Sequence, residues 1–567
     1  MEIHTDRITD TKLTRRRVLQ GSALLAGAAL APIPIAAAEA KSKAPSSPDK
    51  QSLIASDHHA IVATTQGKVR GYSRNEIFTF RGIPYGASTA DMARFMPPVK
   101  VQPWSGIRNA YQFGNASPQG AISFLTGDEI KFIVRNFPGT QGEDCLCLNV
   151  WSPAINDNGK RPVMVWLHGG GFSIGSGSAE PVYDGENLAK HGVVFVSVNH
   201  RLGPTGFLDL SAYGDRYASS GNVGMLDLVA ALEWVRDNIA NFGGNPANVT
   251  ILGQSGGGGK VSTLMAMPAA QGLFHKAIVQ SGSMLRGRSP EKAQKLTAGI
   301  LEQLGLSSAT IDELRKVSFE KLVSVSEEAL SKLNRDVAGD VTKMADALGF
   351  GPIVDGKILP THPFDPGAPS ISKNVPLLVG TDLNEATVAT DHPEYAEWTD
   401  EDLTKKLTDK FGEKTPKVIS VFRRSHPKAK PFDLFSIITA ANWRQGAVTQ
   451  AERKAALGAA PAYLYWFTWG SPLFEGRPGS CHGLEIAFAF DNSDIGDYMT
   501  GGGPRAKALA KKVAGAWVSF ARSGDPSHAG LPKWPAFNAE KCPTMLIDDV
   551  CELRENPDTE ERKIIRS

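Results

Sequence analysis

A sharp turn predicted at residues 253–257 constrains the fold of this chain more than any other feature. The stretch VTILGQSGGGGK at 249–260 combines an apolar, β-branched run with the pattern G-x-S-x-G. In a strand–turn–helix of this kind, the serine lies at the apex in a strained backbone conformation. Glycine is favoured beside it because strand and helix approach closely there. The stretch therefore predicts that Ser255 projects its hydroxyl from the end of a buried strand.

Strand and helix patterns alternate on both sides of this turn. Continuous apolar runs at 163–167, 193–198 and 376–380 are typical of strands that are covered on both faces, as in a parallel sheet. From 225 to 239, apolar residues recur every three or four positions, which predicts a helix. We therefore predict an α/β fold with a mainly parallel central sheet flanked by helices. Helical patterns at about 289–345 and 399–460 predict insertions over the carboxyl ends of the strands.

The first 38 residues have the features of an export signal. The stretch TRRRVLQ at 14–20 resembles the twin-arginine signal, and a weakly apolar run and the small residues AAA at 36–38 follow it. The apolar run is too short to span a bilayer. We predict export to the periplasm or the medium without a stable membrane anchor; the alternative is a disordered N-terminus that is never exported. Residues 39–56 are predicted to be a flexible lead-in, and 57–567 a single domain.

Charge and cysteine content exclude several classes of protein. The net charge of the 567-residue chain is +2, which the first 38 residues supply. The near-neutral remainder gives no electrostatic reason to bind nucleic acid or an anionic membrane surface. Five cysteines are too few for a disulfide framework, although Cys542 and Cys551 could pair in an oxidising compartment. A metal site at Cys145 and Cys147 is disfavoured because no second Cys/His pair has matching spacing.

A second functional element is predicted at HGGGF, residues 168–172, directly after the apolar run at 163–167. Three successive glycines leave backbone N–H groups unobstructed and able to point at a ligand. The alternative is a flexible glycine turn. We favour a candidate oxyanion hole, because the glycines follow a buried strand and lie upstream of the serine turn.

A serine hydroxyl at neutral pH needs a base within hydrogen-bond reach, and that base needs an orienting acid. Among the twelve histidines, His482 is the favoured base because it lies in a loop after a late strand at 463–467. Asp382 and Glu385 both follow the strand at 376–380, and both are candidates for the acid. The resulting chain order of serine, acid and histidine is that of α/β-hydrolases and differs from the chymotrypsin and subtilisin orders.

With these residues in place, the chain resembles the type-B carboxylesterases, which include cholinesterases and bacterial para-nitrobenzyl esterases. The resemblance covers roughly residues 60–550. It rests on FRGIPY from Phe80, EDCL from Glu143, HGGGF from His168, NHRLG from Asn199, NFGGNP from Asn241, GQSGG from Gly253, QSG from Gln280 and GDP from Gly524.

The resemblance implies a carboxylic ester hydrolase with the α/β-hydrolase fold that acts on a small-molecule ester and needs neither metal nor cofactor. Ser255 would form the acyl-enzyme and His482 would be the general base. Glu385 would be the acid, because Asn384-Glu385-Ala386 matches the D-E-G of the family. The oxyanion donors would be the backbone N–H groups of Gly170, Gly171 and Gly256. The pairs Arg94–Glu143 and Arg201–Asp227 resemble structural ion pairs.

Three departures from the family pattern bear on the substrate and the disulfides. Gln254 replaces the usual glutamate before the nucleophile, and residues 106–150 contain no tryptophan. Both argue against a quaternary ammonium ester, which needs negative charge or aromatic faces. Ser117 stands where the family usually has the cysteine that bridges to the position of Cys145, so that disulfide is expected to be absent.

Two other functions stay open on these residues. The same triad can cleave an amide, a carbamate or a thioester. The other alternative is a non-catalytic adhesion homologue of the superfamily. Such homologues tend to lose the nucleophile or the base, and this chain retains Ser255, His482 and the glycine loop. The enzyme is therefore the favoured interpretation.

Overall fold

The structure of the chain is a computed structural model that describes residues 52–120, 128–335, 347–385, 387 and 392–567. The predicted export signal lies outside the described residues, as do positions 39–51 of the lead-in and positions 336–345 of the first predicted insertion.

The strands are β1 (Leu53–Ile54), β2 (Ile61–Ala63), β3 (Lys68–Arg70), β4 (Tyr72–Arg74), β5 (Ile77–Pro84), β6 (Ile107–Asn109), β7 (Cys147–Ser152), β8 (Arg161–Leu167), β9 (Val194–Val198), β10 (Gly244–Gln254), β11 (Lys276–Gln280), β12 (Leu377–Asp382), β13 (Ala462–Phe467), β14 (Pro543–Ile547) and β15 (Glu552–Glu555). The α-helices are α1 (Asp128–Ile133), α2 (Glu186–Lys190), α3 (Gly203–Phe207), α4 (Val223–Asn238), α5 (Gly256–Leu264), α6 (Pro290–Leu304), α7 (Phe319–Leu333), α8 (Asp400–Phe411), α9 (Thr415–Ser425), α10 (Pro431–Ala455), α11 (Glu485–Ala489), α12 (Asp497–Thr500), α13 (Gly503–Ser523) and α14 (Thr559–Arg566).

One large sheet organises the described residues. Its twelve strands follow the order β1-β4-β5-β7-β9-β8-β10-β11-β12-β13-β14-β15. Every neighbouring pair from β9 to β14 is parallel, and the pairs outside this block are antiparallel. The small second sheet has the order β2-β3-β6. The predicted mainly parallel sheet is confirmed, and the apolar runs at 163–167, 193–198 and 376–380 lie on β8, β9 and β12.

The parallel strands are buried on both faces because their side chains alternate between two hydrophobic layers. On β8, Val163, Val165 and Leu167 face one layer, and Met164 and Trp166 face the other. The same alternation continues on β9 and β10. A strand covered on both sides has no polar face, which explains the continuous apolar runs in the sequence.

Helices cover the sheet, and both segments predicted to be insertions contain helices. The first contains α6 and α7, and the hydroxyl of Ser289 accepts a hydrogen bond from the Lys292 N–H at the start of α6. Ser289 is followed by Pro290 at the first helical position, a pair that is typical of helix starts. The second contains α8, α9 and α10, of which α10 packs along β12 and β13. That these segments shape the substrate pocket stays a prediction.

The cysteines are unpaired in the structure, and the two expected ion pairs are present. Cys542 and Cys551 are both free, as are the other three cysteines. Arg94 Nη2 lies 2.6 Å from Glu143 Oε2, and Arg201 Nη2 lies 2.6 Å from Asp227 Oδ1, with all four side chains buried. No α-helix in the described part of the chain is long and apolar enough to cross a membrane.

Candidate active site

Ser255 lies at the turn between β10 and α5 with φ +57° and ψ −125°. Residues other than glycine rarely adopt a positive φ. The turn is held because the Ser255 N–H donates to the Gln280 carbonyl at 2.8 Å and its own carbonyl accepts from the Gly259 N–H at 3.0 Å. A β-carbon at Gly257 would overlap the Leu167 carbonyl, so the helix starts in contact with the end of β8. The sequence-predicted turn is therefore present with its expected strain.

The glycine loop follows β8 and lies beside this turn. Gly170 and Gly171 have φ of +83° and +64°. A β-carbon at Gly256 would overlap the backbone of Gly171, which shows how closely the loop approaches the start of α5. The N–H groups of Gly170 and Gly171 donate no hydrogen bond within the described residues. The N–H of Gly256, as the first helical residue, has no partner in its own helix. The three predicted donors therefore meet in one region with their N–H groups available.

His482 and Glu385 form a direct contact. His482 Nδ1 lies 2.5 Å from Glu385 Oε2, and the Glu385 side chain is fully buried while that of His482 is 31% exposed. Glu385 Oε1 accepts the Asp382 N–H at 2.9 Å, which fixes the carboxylate. Burial alone lowers the pKa of His482, but the charge and hydrogen bond of Glu385 outweigh it and raise that pKa above its ordinary value.

The fold brings these two residues together although they are far apart in the chain. β12 and β13 are parallel neighbours, and the segments that follow them meet in a parallel bridge between Asn384 and Cys481. The Asn384 N–H donates to the Ser480 carbonyl, and the Ser480 N–H donates to Asn384 Oδ1, each at 3.0 Å. The residues after this bridge on each segment are Glu385 and His482, so the bridge sets their register.

The other ring nitrogen of His482 faces the serine turn. His482 Nε2 lies 3.2 Å from Nε2 of Gln254, the residue directly before Ser255. An amide NH₂ can only donate, so this contact leaves Nε2 as the acceptor and places the ring proton on Nδ1, opposite Glu385. That tautomer is the one that a general base for Ser255 needs.

The comparisons with known proteins identify the family of the chain. A family model described as "Carboxylesterase family" matches residues 58–565. The chain belongs to the carboxylesterase family. A para-nitrobenzyl esterase from Bacillus subtilis is 34% identical over 508 residues, which cover 89% of this chain and 98% of that protein. A phenmedipham hydrolase from Pseudarthrobacter oxydans is 31% identical, with 86% and 95% covered.

Solved structures give the same assignment. An esterase from Clostridium hathewayi that can hydrolyse aliphatic aromatic polyesters has a TM-score of 0.77 and 34% identity, covering 90% of this chain and 98% of its own. A carboxylesterase from Geobacillus stearothermophilus has a TM-score of 0.73 at 34% identity, covering 89% and 99%. The protein is therefore a carboxylic ester hydrolase with the α/β-hydrolase fold, as the sequence motifs predict.

Asp382, the other acid considered from sequence, has a different environment in this carboxylesterase. It is buried, and its Oδ2 accepts the Gly483 N–H at 3.1 Å. Its carboxyl group pairs with that of Glu485, which is also fully buried. Two ionised carboxylates can only accept hydrogen bonds, so the pair needs one proton. Burial raises the pKa of Asp382 well above its ordinary value and also raises that of Glu485, so the proton is shared by the pair.

Two side chains contact His482 in a way that the sequence does not predict. Trp443, 36% exposed on α10, has its ring centroid 4.8 Å from that of His482 in an edge-on arrangement. Gln254 is visible in the sequence as a departure from the family pattern, but its amide contact with His482 is not. A lone tryptophan in a helical insertion has no motif around it, so only the tertiary structure shows its position at the site.

Replacing Gln254 by glutamate should shift the acidic limb of the pH–rate profile to higher pH. A carboxylate in place of the amide 3.2 Å from His482 Nε2 stabilises the imidazolium and raises the pKa of the base. Because only neutral imidazole can take a proton from serine, kcat/KM then falls earlier on acidification. The measurement is kcat/KM for a neutral aryl ester across pH. Gln254→Ala is the control without added charge. If the acidic limb of Gln254→Glu lies at the same pH as that of the parent, the contact between residue 254 and His482 is contradicted.

Proposed function

We propose that this carboxylesterase cleaves its substrate through an acyl-enzyme on Ser255, with His482 as general base and Glu385 as the orienting acid. The observation that carries the proposal is the orientation of His482. Its Nδ1 is bonded to buried Glu385 at 2.5 Å, while its Nε2 faces the residue beside Ser255. An imidazole held in this way has its lone pair at the serine turn and its positive charge, once formed, beside a carboxylate.

The proposed reaction has two steps. His482 Nε2 takes the Ser255 proton while Oγ attacks the ester carbonyl, and the same nitrogen then gives the proton to the leaving alcohol. Water, deprotonated by His482, then attacks the acyl-enzyme, and His482 returns the proton to Ser255 Oγ as the bond to the acyl group breaks and the acid is released. The N–H groups of Gly170, Gly171 and Gly256 would bind the oxyanion in both steps. Loss of one such donor typically costs about 10²–10³ in kcat.

The proposed substrates are small esters without a quaternary ammonium group. No carboxylate precedes Ser255, where Gln254 stands, and residues 106–150 contain no tryptophan. Trp443 on α10 brings one aromatic ring to His482. The related esterases act on para-nitrobenzyl esters and aliphatic aromatic polyesters, according to their names. A para-nitrophenyl ester of a short acid is therefore a suitable probe.

A fluorophosphonate probe tests the assignment of the nucleophile. It should label one residue, and peptide mass spectrometry should place the label on Ser255. The acyl-enzyme mechanism also predicts a burst of para-nitrophenol equal to the amount of enzyme when deacylation is slow. Labelling of any other residue contradicts the proposal.

We also propose that the protein is exported by the twin-arginine route. The support is the sequence alone, with TRRRVLQ at 14–20 ahead of the apolar run and AAA at 36–38. Replacing Arg15, Arg16 and Arg17 by lysine keeps the charge and removes the arginine pair. Esterase activity should then stay in the cytoplasmic fraction of a bacterial host instead of reaching the periplasm or the medium. Unchanged export of the lysine variant would refute the route.

A further inference from the structure

Lys260 is a buried cation on α5, the helix that begins directly after Ser255. The residue is 0% exposed, and its ammonium Nζ donates to the His168 carbonyl at 2.8 Å. No carboxylate within the described residues pairs with it, and burial lowers its pKa to about 7. A buried ammonium without a counterion is costly, so its retention needs a reason. The backbone carbonyl it binds belongs to the first residue of the glycine loop.

The groups around Lys260 leave its charge unbalanced. His168 and His200 are both buried, their rings lie 5.1 Å apart, and burial lowers the pKa of each well below its ordinary value, with Lys260 lowering both further. The Phe172 ring centroid lies 5.6 Å from Nζ. The groups that lie near Lys260 at the ends of β8 and β9 are therefore neutral rings. When Lys260 is protonated, its positive charge lies close to the loop whose N–H groups face a developing negative charge.

The glycine loop needs an outside restraint because three successive glycines restrict the backbone little. The N–H groups of Ser173 and Ile174 hold the Gly170 carbonyl, and two side-chain contacts hold the start of the loop. The ring Nδ1 of His168 contacts the Gly169 carbonyl at 2.8 Å, and Lys260 binds the carbonyl of His168 itself. A β-carbon at Gly169 would lie 3.5 Å from Ser255 Cβ, so a shift of this peptide moves the loop against the nucleophile.

We propose that Lys260 is a positioning residue for the oxyanion hole: its ammonium holds the His168 carbonyl and so fixes the N–H groups of Gly170 and Gly171. The inference rests on the proposed acyl-enzyme mechanism at Ser255. It extends that mechanism to a group that touches neither substrate nor nucleophile. Preorganised donors lose effectiveness when their direction is not fixed, so the effect belongs in kcat more than in KM.

Lys454 provides a matched control in the same chain. It is also 0% exposed, and its Nζ donates to the carbonyls of Lys373 at 2.7 Å and Ser372 at 3.2 Å. Burial lowers its pKa as well, to about 8. These carbonyls precede β12, at the end of the parallel strands opposite to Ser255. Loss of this lysine therefore removes a comparable buried contact without touching the glycine loop.

The experiment compares Lys260→Met, Lys260→Gln and Lys454→Met with the parent. A fluorophosphonate titration of Ser255 gives the concentration of active protein in each, and thermal unfolding gives stability. We expect kcat of Lys260→Met to fall about 10–100-fold, less than the loss of a whole donor, with KM changed less. Lys260→Gln, which keeps a neutral donor, should fall between Lys260→Met and the parent. Lys454→Met should lose stability but keep its kcat per active site.

A second readout separates positioning from general destabilisation. A trifluoromethyl ketone adds to the serine and forms a tetrahedral oxyanion adduct, so its inhibition constant reports the hole directly. Binding of the ketone should weaken in Lys260→Met by about the same factor as kcat falls, and it should be unchanged in Lys454→Met. Parent-like kcat and ketone affinity in the Lys260 variants would overturn the inference; if Lys260→Met does not fold, Lys260→Gln alone decides. Failure of the mechanism itself looks different, since the probe would then not label Ser255.

Discussion

Alanine at position 255 should lower kcat/KM for a para-nitrophenyl ester by about 10⁴–10⁶-fold, as expected when the nucleophile of a triad is removed. Without Oγ no acyl-enzyme can form, and the N–H groups of the glycine loop are left to act on a bound ester with water alone. The residual rate should be independent of the titration of His482. Steady-state kinetics across pH, with highly purified protein, is the measurement.

Ser262 is a suitable control for this substitution because it lies on the same helix. It is buried, its hydroxyl donates to the Gly258 carbonyl at 2.9 Å, and Gln450 donates to it at 3.0 Å. Ser262→Ala therefore removes a buried hydroxyl outside the turn. Its kcat/KM should stay within a few-fold of the parent. Retention of more than about one per cent of the parent activity by Ser255→Ala would require another nucleophile.

Glutamine at position 385 should cost about 10³–10⁴ in kcat, by analogy with acid-to-amide changes in other triads. The structure explains the direction of the effect. Glu385 Oε1 already accepts the Asp382 N–H, so the amide oxygen takes that place and the NH₂ group faces His482 Nδ1. The ring must then accept at Nδ1 and carry its proton on Nε2. In that tautomer it cannot take the proton of Ser255.

The matched control replaces the neighbouring acid. Asp382 and Glu485 share one proton and so carry one negative charge together, and Asp382→Asn beside an ionised Glu485 keeps that charge. Its kcat should stay within a few-fold of the parent, with the acidic limb little moved. If kcat fell equally in Glu385→Gln and Asp382→Asn, Glu385 would not be the specific residue that orients His482.

Much of the fold could be predicted because its signals are local. The parallel strands are buried on both faces, so β8 and β9 show continuous apolar runs, and Ser289 with Pro290 marks the start of α6. The serine turn and the glycine loop are also local, since each needs small residues at fixed positions. The choice between Asp382 and Glu385 is not local, because both follow β12. Family resemblance favoured Glu385, and the bridge between Asn384 and Cys481 explains physically why that side chain reaches His482.

The remaining site contacts depend on residues far apart in the chain. Trp443 reaches His482 because α10 packs across β12 and β13. Lys260 is the last residue of the stretch VTILGQSGGGGK, yet a lysine on a helix is usually exposed. Nothing local distinguishes it from a solvated side chain. Its partner, the carbonyl of His168, becomes visible only when α5 lies against the end of β8.

The contact between the start of α5 and the glycine loop has a consequence for protein engineering. A β-carbon at Gly256 or Gly257 would overlap the backbone of Gly171 or Leu167, and one at Gly170 would overlap that of Ile174 in its own loop. Saturation libraries at these three codons should therefore yield almost only inactive clones. Trp443, in contrast, is partly exposed and belongs to an inserted helix. Directed evolution toward bulkier or more polar substrates is therefore best focused there, where side-chain diversity can be sampled beside His482 without a clash with backbone atoms.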